Sequence, residues 1–260
     1  ATSDLGTGPG TAGNSLIGNG ASSDVEASLD LAFDVWDKVG AWTFEKINES
    51  SANGTTTVGE IRSRAMTDIG TTEYGAFAYG PANSAIGGDI WYTTGSSKDF
   101  NPGNSKFYTA LHEIGHAVGL SHPFDGKYSR GSATLTDRLD STRYTVMSYT
   151  TNFRNKYFSD VGTSSFTYTG IHPDGPGPLD INAIEHMYGT STDTNLGDTT
   201  YSFVDKPVMI TTIVDSGGTD TIDLSNQSER CFINLKGMTA STVGFWGAGN
   251  QLDYYSSLLG

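Results

Sequence analysis

Cysteine is nearly absent. Cys231 is the only one, so no disulfide closes within this chain and a thiolate-held structural zinc has no partner ligands; the residue reads as a small buried hydrophobe. Basic residues are scarce, 15 Lys and Arg against 29 Asp and Glu, for a formal net charge of −14. An anionic surface without a Lys/Arg cluster repels phosphate, which excludes nucleic acid as a partner. Long apolar runs are missing too: none approaches the roughly 18–20 residues of a membrane span, so no membrane partner is expected and the chain reads as soluble. The opening stretch ATSDLGTGPGTAGNSLIGNG has neither a basic n-region nor an apolar h-region and is read as neither signal nor transit peptide. Either its start has been processed, or export uses a signal elsewhere.

Glycine, by contrast, is abundant, 33 of 260 residues where about 7% is usual. Frequent tight turns and a large share of β-structure follow, with helix the minority. Residues 1–20 read as an arm or a loosely held first strand. After them Val25, Leu29, Ala32, Phe33, Trp36 and Val39 recur at helical spacing up to Gly40, which predicts an amphipathic helix over about 24–39 with its aromatic stripe in the core. Short strands are expected over 42–47, 55–64, 75–79 and 89–94. A second helix over 107–120, a loop-rich stretch to Tyr168, and a third helix over 178–188 ended by Gly189 complete the first unit. Beyond Thr190, TYSF, VMITTIV, TIDLS and CFINL are short β-like runs between Asp, Gly, Asn and Ser turns, so a domain boundary is placed near residue 190.

The second helix carries the chemistry. Residues 112–122 read HEIGHAVGLSH, filling HExxHxxGxxH at every specified position. Chance supplies those five fixed residues in a chain this long with odds on the order of one in ten thousand. His112 and His116 project from one helix face one turn apart, the geometry for two zinc–nitrogen bonds of about 2.0–2.1 Å. Gly119 stands where an achiral residue takes φ > 0, ends the helix and turns the chain back so that His122 supplies a third nitrogen. Glu113, beside the first ligand, reaches water on the metal without ligating it and is the natural general base. Three neutral histidines leave a coordination position open, which marks hydrolytic chemistry rather than a closed structural site. His172 and His186 have no ligand partner at metal spacing and read as ordinary surface or core residues.

HEIGHAVGLSHP followed by YTVMSYT resembles the serralysin branch of the metzincin proteases. The resemblance runs on through Trp36, WTFEKI, GGDIWYT and PLDINAIEHMYG in the family's order and covers most of residues 21–190. It implies that Met147 forms a tight Met-turn beneath the ligands, as packing support and not as a ligand. It implies that Tyr149 ligates zinc in the resting enzyme and swings away to hydrogen-bond the transition state; without the resemblance Tyr149 reads as a buried aromatic with a backbone-satisfied hydroxyl. It makes GGDIWYT, with Gly88, Asp89, Ile90 and Trp91, the edge strand above the cleft, onto which a substrate peptide adds as an antiparallel strand. Farther on, GDTTY at 197–201 and DSGGTDTIDLS at 215–225 resemble the start of the family's calcium-binding β-roll. Asn195, Gly197, Thr199, Asp215, Gly217 and Asp220 then offer oxygens to one calcium, although Asp/Gly turns also serve plain turn-making. The repeated GGxGxD nonapeptides of that roll are absent. The roll is therefore expected to be curtailed, the chain to be a trimmed product or a short family member, and the helix that often precedes the catalytic core to be lacking.

The expected fold is α+β: a metzincin zinc metalloprotease catalytic domain over 1–190, with a twisted mostly parallel sheet, one antiparallel edge strand and two long helices, then a short β-rich extension over 191–260. The expected function is that of a secreted, extracellular, monomeric zinc endopeptidase with Zn2+ and Ca2+ as cofactors. Its partners are protein or peptide substrates and a proteinaceous protease inhibitor. Two other classes stay open: a non-proteolytic zinc and calcium module, and a hydrolase of small or narrowly chosen substrates, shaped by the loops at 99–107 and 124–146.

Overall fold

The computed structural model describes residues 15–16, 23–46, 50–52, 55–57, 61–66, 75–84, 86–93, 101–126, 134–151, 156–161, 166–205, 207–237 and 239–245. Its elements run β1 (Ser15–Leu16), α1 (Ser23–Asp37), β2 (Ser50–Ala52), β3 (Thr55–Thr57), β4 (Ser63–Met66), β5 (Ala76–Ala78), β6 (Ile90–Thr93) and α2 (Ser105–Ala117). There follow β7 (Lys156–Val161), β8 (Phe166–Gly170), α3 (Pro178–Tyr188), β9 (Thr200–Ser202), β10 (Thr221–Asp223), β11 (Arg230–Phe232) and β12 (Thr242–Phe245).

The apolar stripes place the helices. Leu29, Ala32 and Trp36 of α1 are buried against Phe107, Leu111 and Ile114 of α2, in one core cluster with Ile184 of α3. The indole N–H of Trp36 donates to Leu111 O at 3.1 Å, so the one polar atom of a fully buried ring is satisfied by the helix it packs against. The expected strand over 42–47 is not formed through residue 46. Trp42 instead donates to Trp36 O at 3.0 Å and Phe44 N donates to Asp37 Oδ1 at 2.6 Å, which folds this segment back under the end of α1.

The principal sheet has the order β1-β4-β6-β5. β4 and β6 run parallel, while β1 and β5 pair antiparallel on the outside. Among the described residues the sheet is thus mixed rather than mostly parallel. The expected strand over 55–64 divides into β3, which forms a hairpin with β2, and β4. The stretch read as loop-rich holds an antiparallel hairpin, β7–β8, built from the aromatic and threonine positions of KYFSDV and FTYTG.

Past residue 190, β9 and β10 pair in parallel and β11 and β12 antiparallel. VMITTIV forms no strand of its own; Ile210 makes an isolated bridge to Pro173, with Ile210 N donating to His172 O at 3.0 Å. Thr194 Oγ1 also donates to Lys38 O at 2.8 Å, so the chain past residue 190 is hydrogen-bonded back to residues 38 and 172. No helix among the described residues is long and apolar enough to cross a membrane.

Candidate active site

The end of α2 brings the three histidines together. Leu120 N donates to Gly115 O at 2.8 Å and Gly119 N to His116 O at 3.0 Å, the paired bonds of a Schellman turn. Gly119 has φ 107°, which an L side chain rarely adopts, and the chain therefore reverses here as the spacing requires. His122 Nε2 comes to 3.1 Å from His112 Nε2 and 3.0 Å from His116 Nε2. Two nitrogens bound tetrahedrally to one zinc stand about 3.3 Å apart, so the triangle is already close to ligand geometry. Among the described residues these three form the one group of three or more His, Cys, Asp or Glu that could hold a metal.

The other ring nitrogens fix the tautomers. His112 Nδ1 meets Val146 O at 2.7 Å, His116 Nδ1 meets Leu120 O at 2.8 Å, and His122 Nδ1 meets Asp125 Oδ2 at 2.6 Å. A carbonyl or carboxylate only accepts, so each Nδ1 carries the proton and each Nε2 lone pair points to the shared centre. Burial, then the charge of His116, holds His112 down at about 3, and burial lowers His116 as well; the neutral imidazole is the ligand form. This donor set fits zinc. Asp125, which sequence reasoning passed over, supplies the carboxylate of a carboxylate–histidine pair; lying three residues after the last histidine does not by itself show that the loop turns it back onto the ring.

Glu113 is buried beside His112, and desolvation pushes its carboxyl up to about 8. A dication held by the neighbouring histidines draws such a value back down. Met147 packs against α2: a Cβ on Gly115, the fourth position of the motif, would stand 2.5 Å from its Sδ, so the glycine lets the methionine side chain approach the helix this closely. Asp180, at the start of α3 and 2% exposed, holds that turn from the other side. It accepts from Thr145 Oγ1 at 2.5 Å, Val146 N at 2.7 Å and Gly177 N at 2.8 Å. Its pKa is nonetheless raised to about 6, because desolvation outweighs those three donors. Tyr149 is 62% exposed and its ring stacks on His112 at 5.2 Å and tilts against His122 at 4.8 Å, so it is not the buried aromatic of the plain reading.

The edge-strand expectation needs correction. Ile90 and Trp91 lie in β6, which pairs with β4 on one side and β5 on the other, leaving no backbone edge for a peptide. Gly88 N is used by Tyr79 O at 3.1 Å, and the Asp89 carboxylate is closed off by a buried two-point pair with Arg62 at 2.7 and 2.6 Å. Among the described residues the outer strand on the β6 side of this sheet is β5. A cleft of about 410 Å³ runs from its end, between Ala78, Gly80 and Pro81 on one side and His116, His122 and Asp125 on the other.

The six residues read as calcium donors do come together. Thr199 N donates to Asp220 Oδ1 at 3.0 Å, Thr199 Oγ1 to Gly197 O at 3.0 Å, and Gly217 N to Asp215 Oδ1 at 2.9 Å. Asn195 Nδ2 donates to Val214 O at 2.9 Å, and Tyr201 OH links Asn195 at 3.2 Å to Asp215 Oδ2 at 2.5 Å. Loops 195–199 and 215–220 are thus linked to each other by hydrogen bonds, with the Asp215 and Asp220 carboxylates accepting N–H and O–H groups.

A family model described as Matrixin matches residues 17–128, a span that takes in α1, α2, the β4, β5 and β6 strands of the principal sheet and all three histidines. Serralysin A of Dickeya chrysanthemi is 31% identical over 233 residues, 84% of this chain and 46% of that protein. Metallopeptidase AprA of Pseudomonas marginalis is 32% identical over 269 residues, 87% of this chain and 53% of its own length. Metalloprotease AprA of Pseudomonas entomophila is 34% identical over 65% of this chain. The chain spans about half the length of the curated relatives it matches. Geometry and likeness agree, and the chain belongs with the serralysin-like metzincin metalloproteases.

Proposed function

We propose that this chain is a secreted zinc-dependent endopeptidase, and the observation that carries the reading is the triangle of Nε2 atoms with Glu113 buried beside it. His112, His116 and His122 hold the metal. Zinc, when bound, polarises the scissile carbonyl and acidifies water to a pKa of roughly 7. Glu113, buried beside the ligands, takes the proton of the attacking water and hands it to the leaving amine. Tyr149 rests on the ligands and turns to donate its hydroxyl to the developing oxyanion. Met147 and Asp180 keep the floor of the site in place, and a peptide is laid along β5, the outermost described strand on that side of the sheet, toward the cleft.

The division into a catalytic unit over 1–190 and an extension over 191–260 belongs to the same reading. So does one calcium held by Asn195, Gly197, Thr199, Asp215, Gly217 and Asp220, whose oxygen-rich loops suit a hard cation. Protein or peptide substrates, a proteinaceous inhibitor, and a monomer that acts outside the cell complete it. Casein hydrolysis tests the core of the proposal: it should proceed with zinc, stop with a strong chelator, and return when zinc is restored. Hydrolysis indifferent to the chelator, or a zinc-loaded protein that leaves casein intact, would overturn it.

A further inference from the structure

The aromatic cluster over the metal ligands contains one ring that the proposed reaction leaves without a role. Phe124 follows His122 by two residues and is 43% exposed at the mouth of the site. Its ring stacks on the His122 imidazole at 4.8 Å with the planes 7° apart, and meets the Tyr149 ring at 5.2 Å and 49°. Tyr149 is therefore bordered by two ligand imidazoles and by this phenylalanine.

The root of Tyr149 is fixed on both sides. Ser148 before it is wholly buried; its carbonyl accepts from Tyr108 OH at 2.5 Å, and its hydroxyl donates to Asp140. Thr150 after it donates its N–H to Ser148 Oγ at 3.0 Å, and its carbonyl accepts from Thr142 N at 3.0 Å. With the backbone clamped, Tyr149 changes place by turning about its own side-chain bonds. The rings beside it then set how strongly it rests where it does.

We propose that Phe124 is a positioning residue for Tyr149: anchored on His122, its ring is the apolar seat that holds the tyrosine over the ligands until a peptide displaces it. The inference rests on the reading of Tyr149 as a resting ligand that moves. A ligand entering the site must lift Tyr149 from this seat, so Phe124 raises the barrier to entry and weakens apparent affinity. Loss of one aromatic contact shifts such an equilibrium about 2- to 10-fold.

The test is a double-mutant cycle read by inhibition with a peptide hydroxamate, which competes for the metal. Phe124→Ala should lower the inhibition constant about 2- to 10-fold, Phe124→Tyr should stay near wild type, and the Phe124→Ala effect should vanish in a Tyr149→Ala background, which has no ring to seat. An effect of equal size in both backgrounds would mean that Phe124 touches the inhibitor itself, and no effect in either would mean that it seats nothing; both overturn the proposal. Copper(II) substitution checks the underlying reading separately. The wild type should show tyrosinate-to-copper absorption that Tyr149→Phe lacks. If wild type shows none, the proposal falls because Tyr149 is not a ligand, whatever the Phe124 variants do.

Discussion

The floor of the active site and the C-terminal extension both lean on aspartates, in opposite surroundings. Asp180 is 2% exposed and gathers three donors from two separate loops. Asp198, Asp205, Asp215 and Asp220 accept backbone N–H groups at the surface of the extension. Apolar side chains divide the same way: Phe107, Leu111 and Ile114 are fully buried, whereas Leu235 is 80% and Phe232 66% exposed. The first region is held by its own packing. Among its described residues the second is held by turn chemistry, with little apolar burial behind it, and is where the proposed calcium has most to add.

Substitutions at Asp180 test that contrast most strongly. Asp180→Ala leaves three buried donors without an acceptor and should lower unfolding free energy by about 3 kcal/mol in urea titrations; Asp180→Asn, which still accepts from both backbone amides, should lose far less. The pH dependence has a definite sign. Because the folded pKa is about 6 against 3.8, the stability this group contributes is fully present below 3.8 and is lost as pH rises through 6. Asp180→Asn should remove that part of the slope. If Asp180→Ala unfolds like wild type, the aspartate is not what holds the Met-turn.

A smaller effect is expected one shell out from the metal. Asp125→Ala leaves His122 free to turn and should weaken zinc affinity about 10- to 100-fold, read by competition with a chromogenic chelator; unchanged affinity would show that the loop alone orients the ring. In the extension, Asp215→Ala should abolish any rise of melting temperature on adding calcium while zinc content stays at the wild-type level. Equal calcium responses in both proteins would remove this residue from the proposed site. At the bottom of the scale, Leu235→Ser should change stability by no more than about 0.5 kcal/mol, and a larger loss would reveal packing that its exposure does not suggest.

Much of this was legible in the residues. The zinc triangle follows from the spacing of His112, His116, Gly119 and His122, because helix pitch and one left-handed glycine leave few other arrangements. The limits of α3 were readable from Pro178 and Gly189. β6 was misplaced although a signal existed: Ile90, Trp91 and Tyr92 are all buried, and an unbroken apolar run belongs to a strand covered on both faces, not to one at an edge. Asp125 and Phe124 were hidden for a different reason. Their roles depend on where a loop returns after His122, and local periodicity carries no information about that.

The most direct measurement compares wild type with Glu113→Gln for bound zinc and for the rate of peptide hydrolysis in the same preparations. Binding and proton transfer are assigned to different side chains, so the variant should keep its zinc and lose about 10²- to 10⁴-fold in rate. A variant that cuts as fast as wild type would contradict the assignment of Glu113 as general base, and one that loses its zinc would show that the two tasks are not separate.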